Sequence, residues 1–306
     1  MTIRNIQHFA MSVPDLDVAK VFYEDFGLQT LWRGDILVVR CHGRDQDQIL
    51  LTQGRRKRLS HVSFGTDAVS YDLIRQRLLR SGLELLAAPP GMAEGLWFRD
   101  FEGMLTHIQV ADEAPWRTEP DVTFNTPAHR NLRKGRTELF QESPIRPRRL
   151  GHVVLFSTDP AQKVAFYRDH FDMRLSDQVA SFLSFMHSAA GSDHHIIAFG
   201  KSAAYGLHHV GFDVGTTDEV GAAARQMINK GYIAGWGPGR HFVGSNTFAY
   251  IRDPWSSMHE YFADMDYIEP GDDWQASDWL SLGDRSIWGD SEPPDFATNF
   301  ETPELR

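Results

Sequence analysis

The stretch Gly206-Leu207-His208-His209-Val210-Gly211-Phe212-Asp213-Val214 decides the fold. Apolar residues alternate through it as in a half-buried strand, yet it carries two adjacent histidines. Side chains alternate across a strand, so only one of the pair is expected to face inward. A second histidine strand, Leu150-Gly151-His152-Val153-Val154-Leu155, lies upstream, and a third candidate strand, Met258-His259-Glu260-Tyr261-Phe262, lies downstream. A lone histidine on a strand is ordinarily a satisfied core or surface residue. A buried glutamate asks for a partner, because an unpaired buried charge is costly. Taken jointly, two inward imidazoles and one inward carboxylate on three strands could bind a divalent metal on one face and leave other positions open.

The rest of the chain repeats this pattern. Gln7-His8-Phe9-Ala10-Met11 matches Gly151-His152-Val153-Val154-Leu155, and in each case Phe-Tyr follows fourteen residues after the histidine (Phe22-Tyr23 and Phe166-Tyr167). Leu59-Ser60-His61-Val62-Ser63-Phe64 matches Leu207-His208-His209-Val210-Gly211-Phe212, and Arg99-Asp100-Phe101 matches Arg252-Asp253-Pro254. Each half divides again into strand, helix and several strands. Pro14 to Phe26 reads as a helix with Asp15 and Asp17 at its start and Gly27 as its stop. Strands are expected around Asp35–Val39, Ile49–Thr52 and Ser60–Phe64, and a second helix near Val69–Arg80. Thr216-x-x-Glu219 is a capping box opening a helix with Val220, Ala224, Met227 and Ile228 on one face, ended by Gly231. The expectation is an α+β chain of four βαβββ modules paired into two domains, 1–112 and 148–265. A basic, proline-containing linker (113–147) joins them, and an acidic tail (266–306) with Trp274, Trp279 and Trp288 is expected to pack over the C-terminal domain or a neighbouring subunit.

Composition narrows the function. A net charge of −10 argues against nucleic acid as the main partner, so the basic linker is read as a solvated strap. No apolar run approaches the roughly 20 residues of a membrane span, and the first residues lack a signal-like apolar core. The single cysteine, Cys41, cannot form an internal disulfide, so a cytoplasmic setting is expected.

The motifs Leu150-Gly151-His152, His194-His195, His208-His209, His241, Tyr250 and Met258-His259-Glu260-Tyr261 together resemble the type I extradiol ring-cleavage dioxygenases of the vicinal oxygen chelate superfamily, of the 2,3-dihydroxybiphenyl and catechol 2,3-dioxygenase kind. The resemblance covers about residues 1–265. It implies two vicinal-oxygen-chelate (glyoxalase/bleomycin-resistance-like) domains, of which the second holds Fe(II), in preference to Mn(II), on His152, His209 and Glu260. His209 is chosen over His208 because the repeat aligns His209 with His61 and His208 with Ser60. The resemblance further implies His195 as the acid/base residue, with His241 and Tyr250 as hydrogen-bonding partners of substrate and oxygen.

His208, as the neighbour of His209, is expected to be a substrate-binding residue of the pocket. Val154 resembles an apolar pocket position, and Trp236 stands where a relative acting on a carboxylated catechol has arginine. Together these imply an uncharged, alkyl- or aryl-substituted catechol and O₂ as substrates, in a homo-oligomeric enzyme of aromatic hydrocarbon catabolism. The N-terminal half keeps His8, His61 and His107, but Ile49 is read at the position of His195, Trp97 at that of Tyr250, and Ala88-Pro89-Pro90 near that of His241, so it is expected to be a non-catalytic copy. Two rivals remain: a 2-oxo-acid-type dioxygenase of the same superfamily, and a non-catalytic protein that binds small aromatics on the same scaffold.

Overall fold

The computed structural model describes residues 2–115, 125, 127–128, 130, 144–280 and 285–302, so most of the expected linker, including 131–136 of its basic run, lies outside the described residues. The N-terminal half runs β1 (Asn5–Val13), α1 (Leu16–Asp25), β2 (Gln29–Arg33), β3 (Ile36–Arg40), β4 (Ile49–Gln53), β5 (Arg58–Thr66), α2 (Ala68–Arg80), β6 (Leu96–Arg99) and β7 (Leu105–Val110). The C-terminal half runs β8 (Arg149–Ser157), α3 (Pro160–Phe171), β9 (Met173–Val179), β10 (Leu183–Ser188), β11 (Ser192–Asp193), β12 (Ile197–Lys201), β13 (Gly206–Asp213), α4 (Thr217–Asn229), β14 (Ala234–His241), β15 (Thr247–Arg252) and β16 (Met258–Ala263). Three short strands follow in the tail: β17 (Tyr267–Ile268), β18 (Ser277–Asp278) and β19 (Ser286–Trp288).

The caps act as their residue types demand. Asp15 accepts from the amides of Asp17 and Val18 to start α1, and Thr216 accepts from the amide of Glu219 to start α4. Gly27 ends α1 at φ +92°, where a Cβ would also meet the Ile145 carbonyl oxygen at 2.2 Å.

The repeat is visible in the sheet order. The first sheet runs β2-β3-β4-β1-β5-β7-β6, and the second runs β18-β9-β10-β12-β8-β13-β16-β15-β14-β19. With the tail strands removed, one order is the other plus β14. The second module is therefore shorter than expected: the strand matching β14 is reduced to one bridge, Leu86 to Trp97. Ala88-Pro89-Pro90 follows that bridge, and proline offers no amide to a sheet ladder.

Helices fill the space between the sheets. Phe26, just past α1, stacks on Tyr261 of β16 at 3.9 Å, and Tyr23 OH lies 3.0 Å from His259 Nε2. In return α3 packs on the N-terminal sheet, where Tyr167 meets Phe64 and the fully buried Lys163 pairs with Asp100 and Glu102. This packing consumes one face of β16, and strand alternation sends Glu260 to the other. Among the described residues no helix is long and apolar enough to cross a membrane.

Candidate metal centre

Four strands of the second sheet bring the site together at one level. His152 on β8 lies opposite Gly211 on β13, Gly211 lies opposite Glu260 on β16, and Glu260 lies opposite Tyr250 on β15. His209 sits two residues along β13. The ligand atoms of His152, His209 and Glu260 all lie within 4.8 Å of one another, and all three residues are buried. His152 Nε2 is 2.8 Å from Glu260 Oε2, and His209 Nε2 is 3.6 Å from the same oxygen. Donors about 2.1 Å from one cation at right angles stand about 3 Å apart, so these spacings suit three ligands on one face of a divalent metal. Among the described residues this is the one such group.

A cradle in the backbone supports the same fit. A Cβ on Gly211 would fall 2.1 Å from His152 Cε1 and 2.4 Å from its Nε2, so only glycine lets the ring lie there. The N-terminal copy fills that space. His8, Ser63 and His107 occupy the corresponding register, and Ser63 Oγ lies 2.8 Å from His107 Nδ1. His107 Nε2 is then 3.3 Å from the Glu94 carbonyl, with its ring stacked on Trp97 at 4.1 Å, while His8 and His61 meet through their Nε2 atoms at 3.0 Å.

Around the triad the remaining polar groups form chains. Asn246 Nδ2 donates to Glu260 Oε1 at 2.9 Å and fixes the carboxylate. His241 Nδ1 lies 3.4 Å from the Arg285 carbonyl, which can only accept. That leaves His241 Nε2 to accept from Tyr250 OH at 3.0 Å. Burial pushes the Tyr250 hydroxyl well above its usual range, helped by the Glu260 carboxylate, and holds His195 and His209 well below the usual imidazole value. Burial likewise takes His241 down to about 4, against the opposing pull of Glu260. The ring of His195 stands 4.6 Å from that of His152.

A cavity of about 660 Å³, counted with its open side, lies over these residues. His152, His195, His209, His241, Tyr250 and Glu260 all face it, and Phe185, Trp236, Trp279 and Phe296 contribute much of its apolar wall.

Four expectations need correction. His208 and His209 do not take opposite faces. Leu207 pairs with Leu155 and His209 with Val154, so β13 bulges at His208 and both rings share the site face. His208 does not line the cavity. Its Nδ1 lies 2.8 Å from His209 Nδ1 and its ring packs on Phe156 and Phe296, so it holds His209 from behind. Val154 does not line the cavity either, but lies beneath it, packed with Phe185 and Ala198. Lastly, Ile49 is not the counterpart of His195. Ile49 pairs with Phe9 as Ile197 pairs with Val153, which places Asp47 at the position of His195. Asp47 is engaged by Arg33 and Arg40.

Trp236 does line the cavity. Its Nε1 donates to the Asp290 carbonyl at 2.7 Å and its ring lies parallel to Tyr250. The tail packs on the C-terminal half, as one of the two expected placements had it: β18 pairs with β9, β19 with β14, and Phe296 joins Trp236, Phe248, Tyr250 and Met258 in one cluster. Sequence reading missed Gly211, Asn246 and Phe296. Of these only Gly211 left a signal, since the repeat sets it against Ser63.

Two sheets of one repeated module, with a convergent His-His-Glu set that among the described residues occurs in the second, define a protein of the vicinal oxygen chelate fold with a candidate metal site. Residues 149–261 match the family described as Glyoxalase/Bleomycin resistance protein/Dioxygenase superfamily. Metapyrocatechase 2 of Cupriavidus necator is 38% identical over 98% of this chain and 93% of its own length. The manganese-dependent 2,3-dihydroxybiphenyl 1,2-dioxygenase of Geobacillus genomosp. 3 is 24% identical over 94% of this chain and 93% of its own. The crystal structure of the Mn(II)-bound glyoxalase from Novosphingobium aromaticivorans superposes with a TM-score of 0.79 at 23% identity, covering 100% of this chain and 99% of that one, and bears on the fold alone. The chain belongs to the Glyoxalase/Bleomycin resistance protein/Dioxygenase superfamily, in its extradiol dioxygenase branch.

Proposed function

We propose that this protein opens the ring of a substituted catechol with O₂, next to a hydroxyl-bearing carbon, at a mononuclear Fe(II) held by His152, His209 and Glu260. The observation that carries this reading is convergence: the triad, His195, His241 and Tyr250 border one cavity. When bound, the metal supplies Lewis acidity and an electron path between a chelating diphenol and dioxygen. The chain supplies the rest. His195, kept neutral by burial, accepts a hydroxyl proton of the diphenol. Tyr250 keeps its proton, which in the free site is given to His241 Nε2, and a turn of that O–H toward the cavity supplies a donor where negative charge develops. Asn246 keeps Glu260 in place as a ligand.

The substrate is read as carrying an uncharged alkyl or aryl substituent. Trp236 has its N–H committed to Asp290 and offers the cavity only its ring. Arg285 and Glu292, both at the cavity, stand 3.0 Å apart as an ion pair. We read 1–112 as the non-catalytic domain and 148–265 as the catalytic one, in a cytoplasmic homo-oligomer.

Anaerobic purification followed by metal analysis, oxygen uptake and a screen of alkyl- and aryl-catechols for the ring-fission chromophore tests the proposal. One iron per chain with oxygen uptake matched to chromophore is expected. Full activity with manganese and none with iron would replace the metal. Turnover of an aryl pyruvate and no catechol would favour the 2-oxo-acid rival.

A further inference from the structure

We propose that Asp177, His194 and His195 form a proton relay that fixes which nitrogen of His195 faces the substrate and stores the proton that His195 removes. The inference rests on the ring-opening role given to His195 above. His194 and His195 lie between β11 and β12, where the chain leaves the ladder, and both side chains are buried. His194 is clamped: its amide donates to the Asp266 carbonyl at 2.6 Å, its carbonyl accepts from Ser176 Oγ, and the edge of Trp274 closes over its ring at 5.5 Å. Its Nε2 lies 3.0 Å from Asp177 Oδ2, and its Nδ1 lies 3.1 Å from His195 Nδ1. The other oxygen of Asp177 accepts from the Ser277 amide at 2.6 Å, so the carboxylate is held at both ends.

These contacts dictate the hydrogens. A carboxylate only accepts, so His194 carries its hydrogen on Nε2. A neutral imidazole has one N–H, so His194 Nδ1 is an acceptor and His195 must donate from Nδ1. His195 Nε2 is thereby left with its lone pair, on a ring that borders the cavity. When a diphenol O–H bond breaks, the proton forms a bond to His195 Nε2, and the Nδ1 hydrogen of His195 passes to His194 Nδ1. The diphenol gains one negative charge, His195 is again neutral, and His194 becomes an imidazolium whose Nε2–H faces Asp177. Return of the proton reverses each bond. Asp177 and His194 touch no substrate and act through His195, so they are positioning residues.

Asp177→Asn keeps the size and the acceptor for Ser277 but puts an amide donor opposite His194 Nε2. His194 must then carry its hydrogen on Nδ1, and His195 turns an N–H toward the cavity. The expected result is a kcat at least ~100-fold lower, the scale of losing a positioned general base or its tautomer, with bound iron and anaerobic catechol affinity within about twofold of wild type. Asp177→Asn/His195→Gln should be no slower than His195→Gln alone, because both changes disable one device. A double variant slowed by the product of the two single effects, or an Asp177→Asn enzyme with wild-type kcat, would overturn the relay.

Tautomers provide a readout without turnover. The ¹⁵N imidazole signals of the zinc(II)-loaded wild-type chain should show an unprotonated Nε2 on His195, and a protonated Nε2 there refutes the relay even if Asp177→Asn fails to fold. A wild-type enzyme that opens no catechol while showing the expected tautomer would count against the proposed activity and leave the relay standing.

Discussion

Replacing Gly211 by alanine adds one methyl group to the middle of a strand and should empty the metal site. The added Cβ would stand 2.1 Å from His152 Cε1, 2.4 Å from Nε2 and 2.6 Å from Nδ1. Ordinary contact between carbons begins near 3.4 Å, so the imidazole has to retreat by more than about 1 Å. There is little room for retreat, because the His152 ring is packed against Phe262 at 5.0 Å and His195 at 4.6 Å. Gly211 itself is pinned by pairing to β8 and β16.

Displacing one of three ligands by about 1 Å should weaken metal binding by at least ~100-fold and lower turnover by a similar factor. Metal content after gel filtration, chelator competition and oxygen uptake measure the effect, and far-ultraviolet circular dichroism checks that the fold survives. A folded Gly211→Ala protein with one tightly held metal and wild-type turnover would refute the placement of His152 as a ligand. Gly211→Ser should fail likewise, because that serine is what the N-terminal copy carries at Ser63, where His107 turns to the hydroxyl.

Other tests reach different parts of the molecule. His208→Phe removes the partner of His209 Nδ1 and should weaken metal binding by about tenfold, as loss of a group orienting a ligand does; unchanged chelator competition would remove His208 from that role. The triple change of His8, His61 and His107 to Ala should keep metal content and turnover while lowering Tm, since those rings pack on each other and on Trp97; loss of iron from the folded variant would show a metal site in the first half. Acid should destabilise the fold. Burial lowers His8 to about 3 and His107 and His187 to about 4, so the unfolded chain binds more protons than the folded one below about pH 6.5. The urea midpoint should therefore fall as pH drops from about 6.5 to about 4, and a midpoint that rises over that range would contradict the burial of these rings.

The amino-acid sequence by itself determined the architecture and pointed to the candidate ligand set. Repeated spacings such as His8 to Phe22 and His152 to Phe166 are covalent facts, and they place equivalent strands without any knowledge of packing. Residue types did the same for the metal, because few side chains offer neutral nitrogen or anionic oxygen to a divalent ion. Only the tertiary structure decided what depends on register or on absent atoms. One extra residue at the β13 bulge turns His208 to the site face, and strict alternation cannot foresee it. The same limit misplaced the counterpart of His195: the dipeptide lies outside the ladder, so only the pairing of Ile197 with Val153 shows that Asp47 matches it. Gly211 matters for a Cβ it lacks, and Asp177, Asn246 and Phe296 matter for neighbours distant along the chain. Hydrogen-bond partners and packing neighbours of that kind exist only once the sheet has twisted and the tail has closed over it.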